Sequence, residues 1–139
     1  MNLRKIGLIG GMSWLSTQTY YEHINKQVQA RAGARASAPM LIESLDFSNM
    51  ARLSTAEEWK AAGEALAASA KRLEAAGATA VLIGANSMHK VFDTVAGAVT
   101  VPVIHIAECV AAKMEANGVK KAALIGTRNV MVESFYRQK

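Results

Sequence analysis

An α/β fold built on a doubly wound parallel sheet is what the sequence predicts, on three observations. Apolar runs of five or six residues alternate with longer stretches of helical periodicity along the chain, the pattern of successive β-α units. The apolar runs are rich in Ile, Val and Leu, as strands buried on both faces are. Polar residues and glycines follow each run directly, at the carboxyl ends of parallel strands where ligands bind in such sheets. Five units in 139 residues suit one flavodoxin-like lobe.

Lys5-Ile6-Gly7-Leu8-Ile9 reads as the first strand, Gly10-Gly11-Met12-Ser13 as a tight turn, and residues 14–32 as a helix. A second strand over residues 40–45 ends at Asp46. Thr55 followed three residues later by Glu58 is a capping-box pattern. Trp59, Ala62, Leu66, Ala70 and Leu73 then fall on one helical face, and Gly77 supplies a left-handed C-terminal cap. A third strand over residues 79–83 opens into Gly84-Ala85-Asn86-Ser87-Met88-His89, with a short helix over residues 90–98. The fourth strand, residues 101–106, carries Pro102 near its start, where a missing N–H is tolerated. A helix over residues 109–116 stops at Asn117-Gly118. A fifth strand over residues 121–125 opens at Gly126-Thr127, and a last helix runs toward Lys139.

The first and fifth strands resemble each other: Lys5-Ile6-Gly7-Leu8-Ile9-Gly10-Gly11 aligns with Lys121-Ala122-Ala123-Leu124-Ile125-Gly126-Thr127. Buried parallel strands are alike in general. The other reading divides the chain into a lobe over residues 1–118 and, over residues 119–139, the first strand and helix of a second lobe cut short. The fifth strand is then expected either to complete the first sheet or to pair with another chain.

The formal charge is +5, with basic residues scattered along the chain. No run has the density of a nucleic-acid or membrane patch, so neither partner is expected, beyond a modest attraction for anions. Cys109 is the only cysteine, which excludes an intrachain disulfide and a cysteine-based zinc site. The N-terminal apolar run is too short for a signal peptide and no stretch approaches membrane-spanning length, so a cytoplasmic location is expected.

Gly7-Leu8-Ile9-Gly10-Gly11 fails the dinucleotide spacing, which needs glycine at Ile9 and Met12. What remains is a turn that presents amides and the Ser13 and Ser16 hydroxyls at a helix N-terminus, suited to a carboxylate or phosphate, or simply a tight turn needing small residues. His23, His89 and His105 lack the paired carboxylates of a metal site. Asp46 could orient a ligand ammonium or cap its own turn. Cys109, among Ile106 and Val110, is expected to be a buried structural thiol, and Trp14 and Trp59 are expected to pack in the core or at the rim. Asn86 and Ser87 stand out, because an amide and a hydroxyl directly after a buried strand can both donate to a carboxylate.

The motifs Ile6-Gly7-Leu8-Ile9-Gly10-Gly11-Met12-Ser13-Trp14 with Ser16-Thr17 and Tyr20-Tyr21, Asp46-Phe47, Asn86-Ser87-Met88-His89-Lys90, Pro102-Val103-Ile104-His105-Ile106-Ala107, Leu124-Ile125-Gly126-Thr127-Arg128 and Phe135-Tyr136-Arg137 occur in that order. Together they resemble the aspartate/glutamate racemase family, cofactor-independent enzymes of amino-acid metabolism. The resemblance implies two α/β lobes facing a cleft, and inversion of an α-carbon by two opposed acid/base residues. Neither pyridoxal phosphate nor a metal takes part, so no cofactor is expected.

By this resemblance Gly11, Met12, Ser13 and Trp14 line the substrate pocket, with Asp46 and His89 beside it. Asn86 and Ser87 hold the substrate carboxylate, and Thr127 contributes from the start of the second lobe. The family's first base, a cysteine or threonine, stands immediately before the asparagine. This chain has Ala85 there, and a methyl group neither takes nor gives a proton. The second base falls past residue 139. The expected function is therefore a racemase-type binding rim without the reaction, on a homodimer whose partner copy covers otherwise exposed faces. The alternative is a non-catalytic binding module for small dicarboxylates or other anions.

Overall fold

The computed structural model describes residues 3–46, 48, 50 and 53–138. Four parallel strands form the sheet: β1 (Ile6–Gly10), β2 (Met40–Ser44), β3 (Ala80–Ile83) and β4 (Val103–Ile104), in the order β2-β1-β3-β4. Around it lie α1 (Trp14–Ala32), α2 (Ala56–Ala75), a 3-10 turn at Ser87–Val91 leading into α3 (Phe92–Ala96), and α4 (Ile106–Ala116). A short α5 (Arg128–Val132) and a 3-10 turn at Ser134–Tyr136 follow.

The register sorts the core. Gly7 pairs with Leu41 and Val81, and Ile9 with Ile83, so these residues share one face. On it lies α2, whose Trp59, Leu66, Ala70 and Leu73 join Ile9, Val81, Ile83, Met88 and Val95 in the main apolar cluster. Fully burying a Leu such as Leu66 stabilises the fold by roughly 2–3 kcal/mol. The opposite face carries the row Ile42, Leu8, Leu82 and Ile104. Leu8 is fully covered, whereas Ile42 and Ile104 at the edges stay exposed.

The α2 boundaries follow from the capping chemistry in the sequence. Thr55 Oγ1 accepts from the Glu58 amide, and Glu58 Oε2 accepts from the Thr55 amide. Gly77 takes a φ of +91° just past the helix. At the far end, Glu74 accepts from the Thr100 amide and hydroxyl and from the Val101 amide. These bonds tie the approach to β4 to the end of α2 and hold the Glu74 carboxyl below its ordinary range.

Three expectations are corrected. Residues 121–125 form no strand, and Ile125 is 87% exposed. A strand needs a hydrogen-bonded neighbour as well as an apolar pattern, and none of the sheet's strands pairs with this segment. The fourth strand is shorter than expected because His105 already caps α4, so Ile106 enters the helix. Cys109 is exposed rather than buried, since Ala107 is the one fully buried residue of α4. No helix among the described residues is long and apolar enough to cross a membrane.

Candidate functional site

The ends of β1, β2 and β3 meet at one rim. The Gly10 carbonyl accepts from the Leu45 amide at 3.0 Å, and the Ile9 carbonyl accepts from the Gly84 amide at 2.8 Å. The Gly10-Gly11 turn is thus clamped between the segments that follow β2 and β3. Two glycines are required by this closeness. A Cβ on Gly11, whose φ is +84°, would sit 2.1 Å from the Leu45 carbonyl oxygen, and one on Gly84 would sit 2.8 Å from the Ile9 oxygen.

Thr17 sets the turn, a role the sequence did not single out. Its Oγ1 accepts from the Gly11 amide at 2.8 Å and donates to the Ser13 carbonyl at 3.2 Å. A Cβ on Gly10 would meet the Thr17 side chain at 2.7 Å, so Gly10, Gly11 and Thr17 form one unit. The available signal was a threonine one turn into α1, a helix in which it is the one buried residue.

Three of the polar side chains expected at the site are not consumed by the helices they precede. Ser13, Asn86 and Thr127 occupy the N-cap positions of α1, the 3-10 turn and α5, and none makes a side-chain cap hydrogen bond. Thr55 and His105, in the same position on α2 and α4, do cap. Asn86 and Thr127 are exposed, and Ser13, Ser87 and Ala85 are half-buried. Ser13 and Asn86 flank the joined ends of β1 and β3. Thr127 lies on the C-terminal segment, which is tied to the 3-10 turn by Lys90 donating to Glu133 at 2.8 Å. Lys90 also lies over the Trp59 ring, 4.6 Å from its centroid.

Four site expectations change in detail. Met12 is buried in the apolar cluster, so it supports the turn from beneath. Trp14 is 64% exposed, so it does not pack in the core. Asp46 accepts from the Ser48 amide at 2.9 Å and hydroxyl at 2.7 Å, which is the turn-capping reading, and these bonds hold its carboxyl below the ordinary range. Phe47, its partner in the motif, lies outside the described residues.

His89 is the largest correction, because it faces inward and is only 2% exposed. Its Nδ1 lies 3.0 Å from the Ala85 carbonyl oxygen and 3.2 Å from that of Asn86. Its Nε2 lies 3.2 Å from the Ile106 amide, which donates to it. Burial, with His105 next to it, lowers its pKa from 6.5 to about 4. A cavity of about 270 Å³ opens beside it, lined by His89, Lys90, Phe92, Asp93, His105 and Phe135 among others. Among the described residues no group of three His, Cys, Asp or Glu could hold a metal ion.

Ala85, the position where the resemblance puts a base, is confirmed only as a half-buried methyl between Gly84 and Asn86. The arrangement can offer amides, an amide side chain and hydroxyls to an anion. At that position it offers no group to move a proton.

Residues 9–139 match the sequence profile of the Asp/Glu/Hydantoin racemase family. Two solved structures are similar. One is a candidate Asp/Glu racemase from Yersinia pestis, 39% identical, with a TM-score of 0.91 over 98% of this chain and 59% of that one. The other is an aspartate racemase homologue from Pyrococcus horikoshii, 33% identical, with a TM-score of 0.87 over 98% of this chain and 59% of that one. The 139 residues therefore span 59% of the length of each of these relatives.

Proposed function

The chain belongs to the Asp/Glu/Hydantoin racemase family, and from that premise we propose that its rim binds the carboxylate of a small amino acid or dicarboxylate without inverting it. The carrying observation is the contrast between N-caps. Ser13, Asn86 and Thr127 leave their side chains unused by their own helices, while Thr55 and His105 do not. Such groups, with the first amides of α1, suit a carboxylate.

Ala85 supports the loss of the reaction. Abstraction of an α-proton beside a carboxylate needs a positioned base of tuned pKa, and a methyl group supplies none. Cys109 is no substitute, since it lies on α4, away from the motif position before Asn86. The dicarboxylate-binding module is the same rim used for affinity alone, and Ala85 favours it over a working racemase. The test is incubation of L-aspartate and L-glutamate with purified chain in heavy water. The α-proton is expected to exchange no faster than in buffer. Exchange that scales with protein concentration would overturn the reading.

A further inference from the structure

We propose that His89 is a positioning residue, a neutral imidazole that bolts the Ala85–Asn86 turn of the rim to the N-terminus of α4. This deepens the reading of that turn as the binding rim and rests on it for its functional meaning. The bolt has two ends. Nδ1–H donates to the Ala85 and Asn86 carbonyls, and Nε2 accepts from the Ile106 amide. One tautomer alone satisfies both ends, because an imidazole nitrogen that carries hydrogen cannot accept.

Burial and the adjacent His105 favour the neutral ring. Phe92 stacks at 6.3 Å with the planes 10° apart, and the His105 ring lies 4.8 Å away. His105 itself accepts from the Ala107 amide through Nδ1 at 3.1 Å. The first two amides of α4 thus each end on an imidazole nitrogen, where Ser, Thr or Asp is the usual cap. An aspartate would keep its acceptor at any pH near neutrality, whereas a histidine loses it on protonation.

The charged and titratable groups around the ring are few. His105 faces it from the β4–α4 junction, Lys90 and Asp93 from the turn and α3, and Lys90 is paired with Glu133 of the C-terminal segment. The Ile104 carbonyl also faces the ring and favours its protonated form. A proton on Nε2 would therefore exchange partners, leaving the Ile106 amide without an acceptor and turning toward Ile104. The turn that carries Asn86 would be released from α4 at the same step.

The test is nitrogen-15 NMR of the full chain, with no ligand required. At pH 7 His89 is expected as the Nδ1–H tautomer, and the amide signals of Ile106, Asn86 and Ser87 are expected to move together on acidification with the His89 ring. An Nε2–H tautomer, or amides that ignore the His89 titration, would overturn the proposal. Two variants separate the ends: His89→Gln keeps an acceptor near the Nε2 position, and His89→Asn keeps a donor near Nδ1. Exchange of the Ile106 amide is expected to quicken about tenfold in His89→Asn and little in His89→Gln. Equal exchange in both variants and the parent would overturn it too. Titration of the parent with L-aspartate reads the rim separately: absent binding defeats the rim reading and leaves the bolt intact.

Discussion

Gly11→Ala is expected to cost the fold more than about 3 kcal/mol, from two additive sources. The first is conformational: a φ of +84° is a left-handed geometry that an L side chain adopts at a cost of roughly 1–2 kcal/mol. The second is steric. The new Cβ would lie 2.1 Å from the Leu45 oxygen, 2.5 Å from its nitrogen and 2.9 Å from its carbonyl carbon. These are backbone atoms, and the Leu45 amide is bonded to the Gly10 carbonyl at 3.0 Å, so no rotamer change relieves the overlap. Domains of this kind are stable by about 5–15 kcal/mol, so the variant is expected to be marginal.

Gly33 supplies the control within the same chain. Its φ is +100°, yet nothing lies within 4 Å of its Cβ position. Gly33→Ala should therefore show the conformational cost alone. Urea unfolding of both variants reads the difference, and equal midpoints would contradict the clamped rim.

Acidification is the second large effect, and its sign follows from His89. The ring has a folded pKa of about 4 against 6.5 for the ordinary value, so the folded state binds the proton less readily than the unfolded chain. The stability this contributes is fully present above pH 6.5 and is lost as the pH falls from there through about 4. The full loss is about 3 kcal/mol, an order-of-magnitude figure for a shift of this size. The carboxylates act in a lower window. Glu43, held down first by its bond to Arg72, and Glu74 have folded values below the ordinary range, so their contributions fade as the pH falls through those values. A fall in urea midpoint already between pH 6.5 and 5 thus comes from histidine rather than from these carboxylates. It should flatten in His89→Gln, and an equal slope in that variant would contradict the assignment.

Legibility in the sequence divided along physical lines. The capping box at Thr55 and Glu58, the buried face of α2 and the span of α1 were readable because local spacing determines them. β1, β2 and β3 were readable as strands because their apolar runs find hydrogen-bonded neighbours. Residues 121–125 have the same pattern and no strand, because pattern does not state whether a hydrogen-bonding edge exists. Ser13, Asn86 and Ser87 were legible as polar residues standing where strands open, because each closely follows an apolar run. The inward hydrogen bonds of His89 were not legible because they depend on the Ile106 amide, seventeen residues away. Thr17 was named only as part of a motif, and its role was not read because its partner, the Gly11 amide, is a backbone group.

The rim itself is tested most directly by titrating nitrogen-15-labelled chain with L-aspartate, then L-glutamate and inorganic phosphate, and following each backbone amide. Saturable shifts are expected, confined to the turn from Gly11 to Trp14, to Asn86 and Ser87, and to Thr127, larger with the amino acids than with phosphate. No shifts at millimolar ligand, or shifts concentrated away from those residues, would contradict the rim reading.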